Sequence, residues 1–339
     1  MLNYKKGRSD WLGDVVYPQD SGYLQVMEIT EQYFDLGVAW NWEFDRDFVG
    51  MVGRFAEESG LTVFQVRREN VAEVAELVRK RRIRFRCFFD RASDEDENFV
   101  PLARTLLRRY RAPEEEKPAR PINPHDQQHH AADKATMHLE FLTHGIAVPY
   151  TIIVSPYNHK NEIELSVSEL AKLGRPFIIK PANTTGGGIG VVTGAETLKE
   201  VLDARQAHKN DKYLLQETVR PAYLGDYRAW FRVFYAFGEI IPCWWDDQTH
   251  LYETITPSDE QAFNLGELKA MTRKIQEVCR LDFFSTELVY TRDSRFVSVD
   301  YVNEICDMRL QSRFPDGVPD LIVENVAQLL VRFAKSVPR

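Results

Sequence analysis

No stretch of this chain approaches the ~20 consecutive apolar residues that a membrane-spanning helix requires, so no membrane partner is expected. Cysteine is sparse: Cys87, Cys243, Cys279 and Cys306 make four, and none stands in a CxxC spacing. That argues against a zinc ribbon and a disulfide framework, and it suits a reducing compartment. The opening MLNYKKGRSDWLGD has no apolar core of a secretion signal, and a cytoplasmic protein is expected. Positive charge is not in excess. The 43 Lys and Arg face 51 Asp and Glu, a formal net charge of -8, whereas a general nucleic-acid binder wants a basic face, so no nucleic-acid partner is expected. The one basic run, VRKRRIRFR, begins in a helix-period segment, ends in a strand and reads as a solvated helix end. Two phosphate-binding signatures are missing as well. There is no GK dipeptide, hence no P-loop, and Gly186, Gly187, Gly188 and Gly190 do not meet the GxGxxG spacing.

What is present is enough for two or three modules: 339 residues of which 44% are hydrophobic. In the first third, LTVFQV and RFRCFF read as strands, while VAEVAELVRK and FVPLARTLLRRY carry helical periodicity. Such alternation predicts a parallel sheet covered by helices. The acidic tip DRASDEDE then falls at the carboxyl end of a strand, where open α/β sheets place ligands, which makes Asp90 and Arg91 substrate candidates. APEEEKPARPINPHD (112–126), with four prolines, reads as a domain boundary. Beyond it DQQHHAADKATMHLEFLTHG reads as one helix ended by Gly145. VPYTIIV, YLLQETV, DYRAWFRVFYAF and EIIPCWW read as strands, and the chain closes on the amphipathic helix PDLIVENVAQLLVRFAKS. His125, Asp126, His129 and His130 in HDQQHH have metal-ligand spacing but no accompanying acidic motif, and read as a solvated helix start. The tryptophans at 244 and 245 read as packing or as one wall of a substrate pocket.

Two features point to chemistry. In RPFIIKPANTTGGGIGVV an apolar strand ends in Lys180, and the glycines follow the lysine. Later, ELVYT and RFVSVD are separated by a few polar residues; a hairpin with a two-residue or a four-residue loop places Glu287 opposite Asp300. Facing carboxylates repel. A proton, an arginine or a divalent cation can offset that, and Asn303 adds a neutral oxygen of the kind magnesium accepts.

The order of these parts, with Lys134 in ADK before them, the strand YLLQETV and Asp226 in GDYR, resembles the ATP-grasp superfamily over roughly residues 120 to 335. The resemblance implies an N-terminal parallel α/β domain (1–115), a linker with the central lobe of a two-lobed, α+β ATP-grasp fold (116–210), and a C-terminal lobe with the metal site (211–339). It implies ATP and Mg²⁺ as cofactors. Lys134, Lys180, Gly186, Gly187 and Gly188 would meet the phosphates; Gln216, Glu217 and Val219 the adenine edge; Asp226 the ribose. Glu287, Asp300 and Asn303 would hold the metal, although the family spaces its last acid and asparagine one residue closer than DYVN does, so Glu304 competes with Asn303. Arg228 and Arg309, with Lys180, would act on the transferring phosphoryl group or an anionic substrate. The activity implied is ligation of a carboxylate to an amine, each an amino acid or peptide, through an acylphosphate. The alternatives are an ATP-grasp kinase and a non-catalytic ATP-binding scaffold or sensor. A homodimer is compatible with the resemblance. The regions DRASDEDE, WWDDQTHLYETITPSDEQ and CDMRLQSRF are expected to set specificity.

Overall fold

The computed structural model describes residues 31–112, 118–183 and 188–339. The first sheet is wholly parallel, in the order β2 (Val63–Val66), β1 (Gln32–Trp40), β3 (Ile83–Arg91), β4 (Arg120–Ile122). Between these strands run α1 (Arg46–Glu58), α2 (Val71–Arg79) and α3 (Val100–Tyr110). Val74, Val78, Leu102 and Leu106 of α2 and α3 pack on Phe85 and Phe88, while Phe48 and Val52 of α1 pack with Leu36, Val38 and Phe89. Strand β1 lies inside this sandwich, and at Gly37 a Cβ would stand 2.7 Å from the Phe88 ring. The stretch expected to be a domain boundary contains β4, a fourth strand of this sheet. Its Pro121 is tolerated there because β4 is an edge strand.

The single helix expected after the boundary is two, α4 (His125–Ala132) and α5 (Lys134–Thr143). The break is local chemistry. Asp133 turns extended, and its Oδ1 accepts from the backbone N–H of Ala135 at 2.9 Å and of Thr136 at 3.0 Å, so it caps α5. Asp133→Ala should lower unfolding stability by about 1 kcal/mol, read as a lower urea midpoint at unchanged slope. Four antiparallel strands follow, in the order β5 (Thr151–Val154), β8 (Tyr213–Glu217), β6 (Phe177–Pro181), β7 (Val192–Ala195). Beneath them sit α6 (Val167–Leu173) and α7 (Leu198–Arg205), each begun by a capping box, Ser166 with Glu169 and Thr197 with Glu200. Leu173 and Val201 meet Phe177, Ile179 and Leu215 in the core of this lobe.

The third layer is antiparallel, with five strands ordered β13 (Tyr252–Thr254), β12 (Glu239–Trp245), β11 (Trp230–Ala236), β14 (Phe283–Tyr290), β15 (Phe296–Asn303). A small hairpin, β9 (Tyr223–Leu224) and β10 (Tyr227–Arg228), precedes it, and α8 (Pro257–Phe263) and α9 (Gly266–Cys279) lie between β13 and β14. Leu268, Met271 and Ile275 of α9 join Met137 and Phe141 of α5 against Phe231, Leu288 and Tyr301. The last helix, α10 (Asp320–Ser336), buries Val323, Val326 and Leu330 in the cluster that holds Phe48 and Val52. The C-terminal helix thus closes the core of the parallel domain. No helix among the described residues is long and apolar enough to cross a membrane.

Candidate active site

The cleft-facing side of the five-stranded sheet, the central sheet and the carboxyl ends of β1 and β3 enclose a cavity of about 1230 Å³. Single-ligand pockets usually run to roughly 300–1,000 Å³, so this one has room for a nucleotide and a second substrate.

Its floor is the strand pair expected to carry the acids, and Glu287 does lie opposite Asp300. The reason differs from the expected loop. Thr291 pairs with Arg295 across three residues, with Ser294 left-handed at φ 62°, and near the turn the register runs Tyr290 to Phe296 and Leu288 to Ser298. An extra β15 residue at Val299 then shifts the ladder so that Glu287 meets Asp300. A second shift follows, because Ser285 pairs with Asn303. Two residues of β14 there oppose three of β15, which is a bulge, and it returns Asn303 to the face of Asp300. Both line the cavity. The acid-x-x-Asn spacing that looked irregular is therefore brought onto one face by the irregularity of the strand.

Cations surround the pair. Lys180, at the end of β6, donates from Nζ to the carbonyl of Val299 at 3.0 Å. Burial pushes its ammonium below the ordinary lysine range, while Asp300 and Glu287 pull the other way. Lys134 opens α5, and its backbone N–H donates to the carbonyl of Ala182 at 3.1 Å, which ties the helix start to the strand carrying Lys180. Burial weighs against ionised Asp300, but Lys134, Lys180 and Arg232 outweigh it and hold the carboxyl below its ordinary value. Glu287 goes the other way: burial raises it, although Arg232 Nη2 donates to Oε1 at 2.5 Å and the Trp230 indole to Oε2 at 3.0 Å. Burial also lifts Glu304 to about 7. So in this structure an arginine and two lysines offset the repulsion of the facing acids. Among the described residues no group of three or more His, Cys, Asp and Glu side chains is placed to hold a metal. The donors that do converge are two carboxylates and the Asn303 amide, an oxygen set that fits Mg²⁺ once phosphate oxygens and water complete it.

The other expected residues divide. Gln216, Glu217 and Val219 line the cavity. Their side chains are partly occupied with structure: Gln216 Nε2 donates to the Tyr301 hydroxyl at 3.1 Å, and Glu217 Oε1 accepts from the Tyr150 N–H at 2.8 Å. Val219 packs with Val289, Val297, Val299 and Trp230, an apolar wall beside the strand end. Gly188 lines the cavity at φ 78°, a conformation that suits glycine; Gly186 and Gly187 lie outside the described residues. Asp226 is not on the wall. With Gly225 at φ 62° it forms the two-residue tip of the β9–β10 hairpin, exposed, where turn chemistry accounts for both residues. Arg228 and Arg309 do line the cavity, each already paired. Arg228 grips Asp247 at 2.9 and 3.0 Å, and Arg309 bonds Asp307 and Asp316.

Several wall residues were not expected from the sequence. Arg232 lies between Trp230 and Phe234 on the cleft face of β11, opposite Glu287, with its guanidinium 4.9 Å from the Trp245 ring. Its alternation with apolar neighbours was the available signal. Of the two tryptophans, Trp244 is buried, stacked on Tyr227, and Trp245 lines the cavity. Asp90 and Arg91 separate: Asp90 caps the turn after β3, while Arg91 lines the cavity beside Asp45, which it grips at 2.7 and 2.9 Å. His125, expected at a solvated helix start, is buried in the wall, whereas His129 and His130 are exposed.

No protein-family model matches the chain, and no curated protein matches it. Solved structures do. The RimK domain ATP-grasp protein of Sphaerobacter thermophilus superposes at a TM-score of 0.58 over 88% of this chain and 98% of its own, with 17% identity. The ATP-grasp ligase PsnB, complexed with a minimal precursor, Mg and ADP, gives 0.61 over 89% and 98% at 15% identity. The D-cycloserine synthetase DcsG gives 0.58 over 88% and 99% at 13% identity. Each match runs over nearly the whole of the solved chain: the chain has the ATP-grasp fold.

Proposed function

We propose that this protein is an ATP- and Mg²⁺-dependent ligase that joins a carboxylate to an amine. The observation that carries the reading is the convergence of Lys180, Lys134 and Arg232 on the facing pair Glu287 and Asp300 in one large cleft. Adenine would lie against Val219 and Val299 at the end of β8, with the backbone of residues 217–219 at its edge, and the lysines would face the phosphates. When bound, Mg²⁺ supplies charge neutralisation on the phosphoryl oxygens, held by Glu287, Asp300 and Asn303. Lys180 and Arg232 add fixed positive charge in a poorly solvated site, where such groups stabilise a transferring phosphoryl group without reorganising. The substrate carboxylate attacks the γ-phosphorus, ADP leaves, and the amine displaces phosphate from the acylphosphate. No protein nucleophile is needed.

The wall beyond the acids supports a charged second substrate. Arg228 with Asp247 and Arg309 with Asp307 and Asp316 present fixed ion pairs that can exchange partners with a carboxylate or an ammonium. PsnB is a ligase solved with a precursor peptide and DcsG is a synthetase, and amino acids and short peptides are the substrate classes to try. The test is ADP release from Mg·ATP over a panel of carboxylate and amine pairs. Release that needs both partners, and stops when Mg²⁺ is chelated, is the expected result. Phosphorylation of hydroxyl substrates instead, or nucleotide binding without turnover, would sink it.

A further inference from the structure

Near the end of β8 one amide is held by a chain of neighbours. Thr151 of β5 stands opposite Gln216 in the antiparallel ladder. Gln216 Nε2 donates to Thr151 Oγ1 at 3.3 Å and to the Tyr301 hydroxyl of β15 at 3.1 Å. That hydroxyl lies 2.7 Å from Nδ1 of His138, within α5. Tyr301 and His138 alone would suit either orientation of the amide, because a hydroxyl between an amide and an imidazole can hand its proton either way. Thr151 decides between the two. Its hydroxyl has one proton, which goes to the carbonyl of Pro149 at 3.0 Å, an atom that only accepts. Towards Gln216, Oγ1 can then only accept, so the group facing it is the NH₂. Both amide protons are thereby spent, one on Thr151 and one on Tyr301, and the Tyr301 proton is left for His138. Burial suits that ending: it pushes the imidazole down and the phenol up, which favours a neutral ring accepting at Nδ1 from a protonated hydroxyl.

What the amide has left is an acceptor. Gln216 is 2% exposed and lines the cavity; its Oε1 takes no bond from a described residue and is not among the polar atoms sealed from solvent without a partner. Ile178 of β6 stands opposite Gln216 and two residues before Lys180, and all three line the cavity. The amide and the ammonium therefore share one face of the central sheet, offset by roughly 7 Å along the strands. We propose that Thr151 and Tyr301 are positioning residues that make Gln216 an acceptor-only reader of the nucleotide base; this rests on the nucleotide-binding reading of the same cleft. A base that presents an amino group at this edge, as adenine does at C6, is taken. A 6-oxo purine is refused, because its carbonyl would meet Oε1 acceptor to acceptor. Gln216 does not adapt by turning its amide, since that would set Oε1 against Thr151 Oγ1 and leave a buried bond unmade. The choice of base is thus fixed by residues that do not touch it.

The test is equilibrium binding of Mg·ATP and Mg·ITP, whose bases differ only at C6 and N1, to the full chain. Wild type should bind ATP about 10–10²-fold more tightly than ITP, the range that an unpaired buried acceptor costs. Thr151→Val removes the group that decides the orientation. The amide can then turn its N–H groups to the 6-oxo base, and the ratio of the two affinities should fall to within a few-fold of one. Thr151→Ser keeps the hydroxyl and should keep the ratio. Tyr301→Phe leaves Thr151 to orient the amide and should lose less of the ratio than Thr151→Val does. A merely structural role would weaken both nucleotides alike and leave the ratio where it was, so an unchanged ratio in Thr151→Val overturns the proposal. So does wild type that binds ITP as tightly as ATP. Thermal melts confirm that the variants are folded, and if Tyr301→Phe is not, the two Thr151 variants decide. No carboxylate or amine takes part, so the outcome stands apart from the ligase reading; binding of neither nucleotide to wild type sinks the nucleotide reading, and this inference with it.

Discussion

Asp300→Asn is expected to reduce ATP turnover by about 10²–10³-fold with little change in fold. The side chain is half-buried on the floor of the cleft, and its substitution removes one of the two facing charges without changing shape. Burial weighs against an ionised Asp300, but Lys134, Lys180 and Arg232 outweigh it, so the group proposed to meet Mg²⁺ is a carboxylate. An amide in its place keeps an oxygen ligand and loses the charge. Circular dichroism and thermal melting should separate the two effects: turnover lost with the melt nearly unchanged supports a site role, and a collapsed melt assigns Asp300 to structure.

Arg91→Met should instead cost stability, about 3–5 kcal/mol. The Arg91 and Asp45 side chains are 0% and 1% exposed, and Arg91 Nη2 also donates to the carbonyl of Cys306 at 2.8 Å. This pair locks the ends of β1 and β3 against the loop after β15. Removing the guanidinium leaves a carboxylate buried without its partner, which costs more than the pair itself contributes. The double variant Asp45→Leu/Arg91→Met should therefore be more stable than Arg91→Met alone, by urea unfolding of wild type, Asp45→Leu, Arg91→Met and the double variant. Additive losses would show that the two side chains act independently.

Much of this was legible because local pattern and site chemistry coincide. The facing acids could be placed from strand alternation and a short turn, and Lys180 from an apolar strand that ends where glycines begin. What could not be read depends on partners far along the chain. Strand β1 escaped because Asp35 interrupts its apolar run. That carboxylate is satisfied by the Thr62 N–H and hydroxyl and by Arg339, 27 and 304 residues away. Arg232 escaped for the same reason: only the pairing of β11 with β14 reveals that it faces Glu287. The loop length was misjudged because the shifts that restore the register lie inside β15, where no glycine or proline marks them. Asp226 misled in the opposite sense, since a Gly-Asp pair between strands is also what a tight hairpin wants.

The most direct test of the central claim is calorimetric titration of a non-hydrolysable ATP analogue into wild type and Asp300→Asn, each with and without Mg²⁺. If Glu287 and Asp300 share a metal with the polyphosphate gripped by Lys180, Mg²⁺ should tighten binding to wild type by about tenfold or more, a coupling of ~1.4 kcal/mol, and do nothing for the variant. Equal affinity with and without Mg²⁺ in the wild-type protein would contradict it.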